Sequence, residues 1–280
     1  MSDVLIVGTV AFDSIETPFG RVEKALGGSA SYASVAASFF SKPAIISIIG
    51  NDFPKEYLEL FRKKNIELDG IQRDEKTFYW EGFYEYDMNE AKTRKTELNS
   101  LANFKAKVPE KYKGIKYIFL ANIDPEQQLE TLRQISNPKL VVLDTMNFWI
   151  TSRKKQLMDA IKMTDVLLLN DGEARQLFNT ASLVKAAGEA LNLGPKAVII
   201  KKGEHGALLF TKNKHFSAPG YPLENIKDPT GCGDSFGGGF IGYLAKTNDL
   251  SEQNFRKAVV YGSVLASHNA EGFGLDKLKS

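Results

Sequence analysis

Near the carboxyl end of the chain the run DPTGCGDSFGGGF, from Asp228 to Phe240, concentrates the residue types from which an anion site can be built. Gly231 and Gly233 carry no Cβ, so the backbone there can turn sharply and aim successive N–H groups at one point. A helix starting behind the turn adds partial positive charge. Asp234 falls in the first turn of that helix, beside whatever the cradle binds. A carboxylate next to a phosphate is repelled unless a metal intervenes or it accepts the proton of a nucleophile attacking that phosphate. The placement therefore suggests a general base for phosphoryl transfer. Chemistry alone allows a plainer account equally well, in which Thr230 and Asp234 cap a helix and the glycines make a tight turn.

Other residues carry weaker chemistry. In Asn170-Asp171-Gly172-Glu173, a single Glu acting through water suits Mg²⁺, which takes few carboxylates and keeps several waters. The same Asn and Glu, three residues apart, also read as a capping box. Asp13 follows an apolar run and can accept two hydroxyl hydrogen bonds from a polyol, or serve as a turn residue. Asp144 and Asn147 sit at the end of another apolar run, where turn chemistry explains them nearly as well. No G-x-x-x-x-G-K-[ST] loop occurs. Gly237 to Gly242 satisfies G-x-G-x-x-G but lies inside a helical stretch rather than between a strand and a helix, so it reads as helix packing.

These residues need a frame. Short apolar runs beginning at Val4, Ala44, Tyr117, Leu140, Val166 and Ala197 alternate with segments of helical period. Helices are expected at about 29–40, 54–64, 126–136, 152–162, 172–178, 182–192, 234–246 and 251–267. Continuous apolar runs of this kind belong to strands buried on both faces. The pattern is α/β: a doubly wound, mostly parallel sheet flanked by helices, whose ligand crevice lies beyond the carboxyl ends of the strands. Thr77 to Tyr86 breaks it, being aromatic, alternating and charged, and with the polar stretch that follows reads as antiparallel strands outside the main sheet. No repeat or linker divides the 280 residues, so one domain over residues 1–280 is expected, with a small β lid appended.

Composition narrows the partners. Thirty-six basic against 34 acidic residues leave a net charge of +2, with no long basic block to grip nucleic acid. One cysteine and three histidines make neither a disulfide nor a zinc site, which fits a cytoplasmic setting. The amino terminus has no signal-peptide pattern, and no apolar run approaches the roughly 18–20 residues that span a bilayer.

The carboxy-terminal run, as D-x-T-G-x-G-D-x-F, resembles the signature of the PfkB (ribokinase-like) kinases of sugars and nucleosides, with Asp228, Thr230, Gly231, Gly233, Asp234 and Phe236 all matching. The resemblance implies that Asp234 is the catalytic base and that the amides of Gly231, Cys232 and Gly233 form the anion hole. Cys232 replaces a commonly small residue, and a thiol at a helix N-terminus is expected to have a lowered pKa and to react with alkylating agents. Asn170 and Glu173 are similar to the family's N-x-x-E motif for Mg²⁺ and phosphate, with Glu173 acting through water; Asp144 is a further candidate for the metal. Leu26-Gly27-Gly28-Ser29 resembles the amino-terminal Gly-Gly turn beneath the sugar, but Tyr32, with Ser31 beside it, stands where many members have Asn. Asp13, Gly27, Gly28, Ser31 and Tyr32 are thus the implied acceptor-binding set. Lys201, Gly203 and Gly206 resemble the strand-turn-strand flanking the nucleotide, and Thr230 and Asn269 complete that side, Asn269 lying where relatives border the adenine pocket. The implied lid covers approximately 12–24 and 76–100, and its aromatics make a homodimer a candidate assembly.

The expected activity is ATP-dependent transfer of the γ-phosphoryl group to a hydroxyl of a small sugar, with Mg²⁺ and, as a further candidate, a monovalent cation such as K⁺. A nucleoside kinase of adenosine type is the alternative, since ribose hydroxyls make the same demands. A catalytically silent nucleotide- or sugar-binding regulator is the second, and a dinucleotide-dependent oxidoreductase, resting on the sheet pattern alone, is the weakest.

Overall fold

The structure, a computed structural model, describes residues 2–279. Nine strands form the main sheet: β1 (Val4–Val7), β4 (Pro43–Gly50), β5 (Glu67–Asp74), β8 (Tyr117–Leu120), β9 (Leu140–Leu143), β10 (Val166–Asn170), β11 (Ala197–Lys201), β12 (Ala207–Thr211) and β13 (His215–Ala218). Their order is β13-β12-β11-β10-β9-β8-β1-β4-β5. Neighbours from β11 to β5 run parallel, and β12 and β13 add an antiparallel edge. The order turns between β1 and β8, which puts the switch-point crevice at the carboxyl ends of those two strands.

The apolar runs make this sheet because a strand sends alternate residues to opposite faces and both faces here are covered. Val4 and Ile6 enter one core with α1 (Ser29–Ala37), α2 (Lys55–Lys63), α8 (Cys232–Thr247) and α9 (Glu252–Ala270). Leu5 and Val7 enter the other with α3 (Pro125–Arg133), α4 (Asn147–Ser152), α5 (Lys154–Lys162), α6 (Asp171–Phe178) and α7 (Leu183–Leu193). The glycine run in α8 is indeed a packing device. A Cβ on Gly238 would stand 2.1 Å from the Ala33 carbonyl oxygen, so only glycine lets α8 and α1 meet backbone to backbone. That contact fixes the start of α8 relative to the turn that leads into α1.

Two differences from the sequence pattern have local causes. The helix expected at about 152–162 is α5, but a further short helix, α4, went unread before it; the two are separate because Arg153 leaves helical geometry (φ −136°, ψ 32°) where the Thr151 and Ser152 hydroxyls donate back to the Phe148 carbonyl. Strand β5 went unread because ELDGIQRD is a polar edge strand with no apolar run.

A second sheet has the order β3-β2-β6-β7, from β2 (Ala11–Thr17), β3 (Gly20–Gly27), β6 (Phe78–Phe83) and β7 (Lys92–Glu97). Two antiparallel hairpins, β2/β3 and β6/β7, are joined by a parallel pairing of β2 with β6. The connection from β6 to β7 carries Asn89 to 3.5 Å from where a Cβ on Gly203 would stand, in the turn after β11. The small sheet thus reaches across the carboxyl ends of the main one.

Candidate active site

The cradle forms as its glycines demand. Gly231 adopts φ 74°, a left-handed conformation costly for other residues, and a Cβ there would come within 2.4 Å of the Tyr32 ring. It is the residue from which α8 starts, and no side chain caps that helix end. The plainer account of Thr230 and Asp234 as helix caps is therefore not what the structure contains. The Cys232 N–H, expected as one of the cradle donors, is turned inward to the Pro229 carbonyl (3.1 Å), and Ser235 N–H donates to the Gly231 carbonyl (2.8 Å), which leaves the Gly233 amide at the open start of α8.

Thr230 is instead held at three points. Its N–H donates to Asp228 Oδ1 (2.9 Å), its carbonyl accepts from Asn269 Nδ2 (2.7 Å), and its hydroxyl pairs with the Tyr84 hydroxyl (3.2 Å). Asp228, fully buried, also accepts from the Gly274 N–H at 3.0 Å. The loop before the cradle is braced from the small sheet, from α9 and from the chain's last turns.

Asp234 stands on the first turn of α8. Burial pushes its carboxyl up to about 7, helped by the Asp144 and Asp13 charges and opposed by the Lys201 ammonium. A carboxylate poised near neutrality is suited to accept a proton. Asp13, on β2, lies against the Gly27-Gly28 turn: a Cβ on Gly27 would meet its Oδ2 at 1.9 Å, and Gly28 N–H donates to that oxygen at 3.3 Å. Burial, with the Asp228 charge, raises Asp13 to about 7 as well, against the lowering effect of the Gly28 amide.

On the other flank, Lys201 Nζ is 2.6 Å from Asp144 Oδ2 and 3.1 Å from where a Cβ on Gly233 would be. Asn170 and Glu173 form a full capping box on α6, with Glu173 N–H donating to Asn170 Oδ1 and Asn170 N–H to Glu173 Oε2, each at 2.7 Å. Glu173 is raised to about 7, chiefly by burial. The structure thus gathers Asp13, Gly27, Gly28, Asn170, Glu173, Lys201, Thr230, Gly231, Cys232, Gly233 and Asp234 around the carboxyl ends of the strands, with Gly203 and Gly206 in the turn leading to β12.

Five expectations are corrected. Ser31 is wholly buried in α1 and Tyr32 is 1% exposed, so neither offers a surface to an acceptor; Tyr32 serves as the packing floor under Gly231. Asn269 is wholly buried and braces Thr230 rather than lining a nucleotide pocket. Asp144 uses Oδ2 for Lys201 and Oδ1 for the Thr145 N–H, which makes it an ion-pair partner rather than an open metal ligand. The Cys232 thiol is not activated. It donates to the Ala266 carbonyl, and burial pushes it up to about 12, outweighing the proximity of the helix end. Sequence reasoning missed Tyr84 and Gly274. Nothing in the alternating aromatic run distinguishes Tyr84, whose partner Thr230 is 146 residues away.

A doubly wound sheet with a glycine turn entering a helix at its crevice, an acid in the first turn of that helix and a cation at its flank brings together the groups from which a phosphate site can be built. Residues 1–277 match the model of the pfkB family carbohydrate kinases, and the chain belongs to that family, whose members are phosphotransferases with an alcohol group as acceptor. It is 28% identical to a cytidine kinase of Thermococcus kodakarensis, over 90% of this chain and 92% of the relative. It is 26% identical to a nucleoside kinase of Methanocaldococcus jannaschii, over 93% and 83%. Among solved structures, the M. jannaschii nucleoside kinase superposes with a TM-score of 0.77 at 21% identity, covering 97% of this chain and 93% of that one. A putative ribokinase II of E. coli, crystallised with ATP and Mg²⁺, superposes at 0.82 and 19% identity, covering 100% and 96%.

Proposed function

We propose that the protein transfers the γ-phosphoryl group of ATP to a sugar hydroxyl of a nucleoside. The observation that carries the chemistry is the arrangement around Gly231: an uncapped helix start with Asp234 in its first turn. In this reading Asp13 and the Gly27-Gly28 turn orient the acceptor hydroxyls. Asp234 takes the proton of the attacking hydroxyl as the new O–P bond forms and the bond to the leaving ADP oxygen breaks. The amides of Gly231 and Gly233 stabilise charge on the phosphoryl in flight, each such donor being worth about 2.7 to 4 kcal/mol, while the Cys232 amide is held by the Pro229 carbonyl. The four-stranded sheet acts as a lid that excludes water, consistent with the approach of Asn89 to the β11–β12 turn and the Tyr84 link to the cradle loop.

The hard-oxygen donor set fits Mg²⁺. Glu173 has one oxygen engaged within its capping box, which leaves the other for a metal-bound water, and Asp144 is committed to Lys201. When bound, Mg²⁺ supplies charge neutralisation to the nucleotide phosphates. Activity should rise with pH through about 7, since Asp234 must be deprotonated to act.

A nucleoside is favoured over the free small sugar because the full-length relatives above are named for cytidine and for nucleosides. The deciding experiment is ADP release from Mg·ATP across pentoses, hexoses and nucleosides. Turnover with nucleosides supports the proposal, and turnover with free sugars alone returns the acceptor to a small sugar. Nucleotide binding without turnover on any acceptor would support a silent binder.

A further inference from the structure

Trp80 stands in the middle of β6, and the parallel pairing of β6 with β2 makes it the direct partner of Asp13. Paired residues project from the same face of a sheet, one strand spacing of about 4.8 Å apart. Trp80, Gly82 and Tyr84 alternate onto that face, and the pairing runs on past β6, since the Tyr84 N–H donates to the Glu16 carbonyl at 2.9 Å. The Tyr84 hydroxyl meets that of Thr230 in the cradle loop, so this face is the one turned to the crevice. The alternate row is committed to charges: Arg21 lies 3.8 Å from Glu81, and the Arg94 guanidinium 4.5 Å from the centre of the Phe83 ring. Trp80 is half-buried. Its Nε1–H donates to Thr93 Oγ1 at 3.1 Å, and its six-membered ring fills the space that a Cβ on Gly82 would need, coming within 2.3 Å of it. The N–H is the one polar group of an indole, so what remains to be presented is apolar ring. Among the described residues that ring stacks on no other aromatic, lies under no cation and belongs to neither core. The other aromatics of the strand's second half are engaged, Phe83 with Arg94 and Tyr84 with Thr230.

We propose that Trp80 is the platform on which the base of the acceptor nucleoside stacks, and so the residue that separates nucleosides from free pentoses. This rests on the nucleoside-kinase reading above. With the ribose hydroxyls on Asp13, the base is carried by the ring carbon next to the one bearing the 2′-hydroxyl, which brings it toward the strand beside β2. Stacking tolerates any base because every base has a π face, so Trp80 sets the class of acceptor rather than the particular base. Gly82 leaves the indole room to lie along the sheet, and Thr93 is the positioning residue that fixes its rotation.

The test measures kinetics of wild type, Trp80→Phe and Trp80→Leu in the full chain at saturating Mg·ATP, with cytidine and adenosine as acceptors and with ribose as substrate or competitor. A second readout is the fluorescence of Trp149→Phe, in which Trp80 is the sole tryptophan, titrated with the same three compounds. Trp80→Leu should raise the KM of both nucleosides by about 5- to 150-fold, the span for losing one base–aromatic stack. Its kcat should stay within about threefold of wild type, because the contact is made equally before and during the reaction. Trp80→Phe should keep most of the affinity, and the response to ribose should be the same in all three proteins. Nucleosides should change the Trp80 emission over the range of their KM, and ribose should not. An unchanged nucleoside KM in Trp80→Leu overturns the proposal, as does an equal loss for ribose and nucleosides, which a merely structural tryptophan would give. If Trp80→Leu does not fold, the titration decides, and emission unmoved by saturating nucleoside overturns the platform. Nucleoside turnover with an unchanged KM removes the platform alone, whereas turnover of free sugars and no nucleoside ends the nucleoside reading and the platform with it.

Discussion

The two flanks of the crevice are built on different principles. The cradle flank is made of backbone amides and one ion pair, with Gly231 in left-handed geometry over the Tyr32 ring and Gly233 close under the Lys201 ammonium. The acceptor flank is made of side chains and loops brought together across long stretches of chain: Asp13 on the Gly27-Gly28 turn, Thr17 donating to the Lys227 carbonyl at 2.8 Å, and Tyr84 on Thr230. Both flanks hold a glycine with no room for a Cβ, Gly231 against Tyr32 and Gly27 against Asp13, but on the first that glycine belongs to the anion cradle itself. The second depends on hydrogen bonds that can be weakened one at a time, which is where substrate preference can change without loss of the chemistry.

The largest effect expected from this contrast falls on the cradle. Gly231→Ala adds a Cβ that meets the Tyr32 ring at 2.4 Å and forces a left-handed backbone on alanine, so turnover should be abolished and Tm lowered. Retained turnover would mean that the amides there are not the anion hole. On the acceptor flank, Asp13→Asn should lower kcat/KM by roughly 10- to 150-fold, the cost of about 1.5–3 kcal/mol for losing hydrogen bonds to a charged group. The loss should appear mainly in the KM of the acceptor, with nucleotide affinity kept. An effect on nucleotide alone would move Asp13 out of that role.

How much of this was legible follows the same division. The apolar runs at Val4, Tyr117, Leu140, Val166 and Ala197 became the parallel strands β1, β8, β9, β10 and β11, because two-sided burial leaves no polar positions to blur the pattern. The cradle was readable because consecutive residues make it. Ser31 and Tyr32 were misread because a helix one turn past a Gly-Gly pair can point its residues at the ligand or into the neighbouring helix, and the α1–α8 packing that settles this comes from glycines more than 200 residues later. Tyr84 and Asn269 were illegible for the same reason, since each acts on Thr230 from a distant part of the chain. Cys232 was misread because its place at a helix start was visible and its burial was not.

Electrostatic strain at Asp234 gives a smaller and sharper prediction. Its folded-state pKa of about 7 lies above the ordinary 3.8, so between those values the folded protein holds more protons than the unfolded chain, and stability from this group is lost as pH rises through that window. Asp234→Asn, which cannot ionise, should therefore have a higher Tm than wild type at pH 8, with the gain shrinking toward nothing as pH falls to about 4. A pH-independent difference would mean that the carboxylate is not destabilised by its site. The smallest effect is expected at Tyr84→Phe. It removes one hydroxyl pair between the small sheet and the cradle loop, and should cost about 2- to 12-fold in kcat/KM, from roughly 0.5–1.5 kcal/mol, with Tm nearly unchanged. A larger loss would make the acceptor flank as intolerant as the cradle.

The central claim, that Asp234 is the base for attack on a phosphoryl group held by the cradle, is tested most directly by kcat for wild type and Asp234→Asn with Mg·ATP and a nucleoside acceptor, alongside ATP-analogue affinity. The account predicts a fall in kcat of roughly 10²- to 10⁴-fold with nucleotide affinity little changed. An unaffected kcat in a folded Asp234→Asn protein would contradict it.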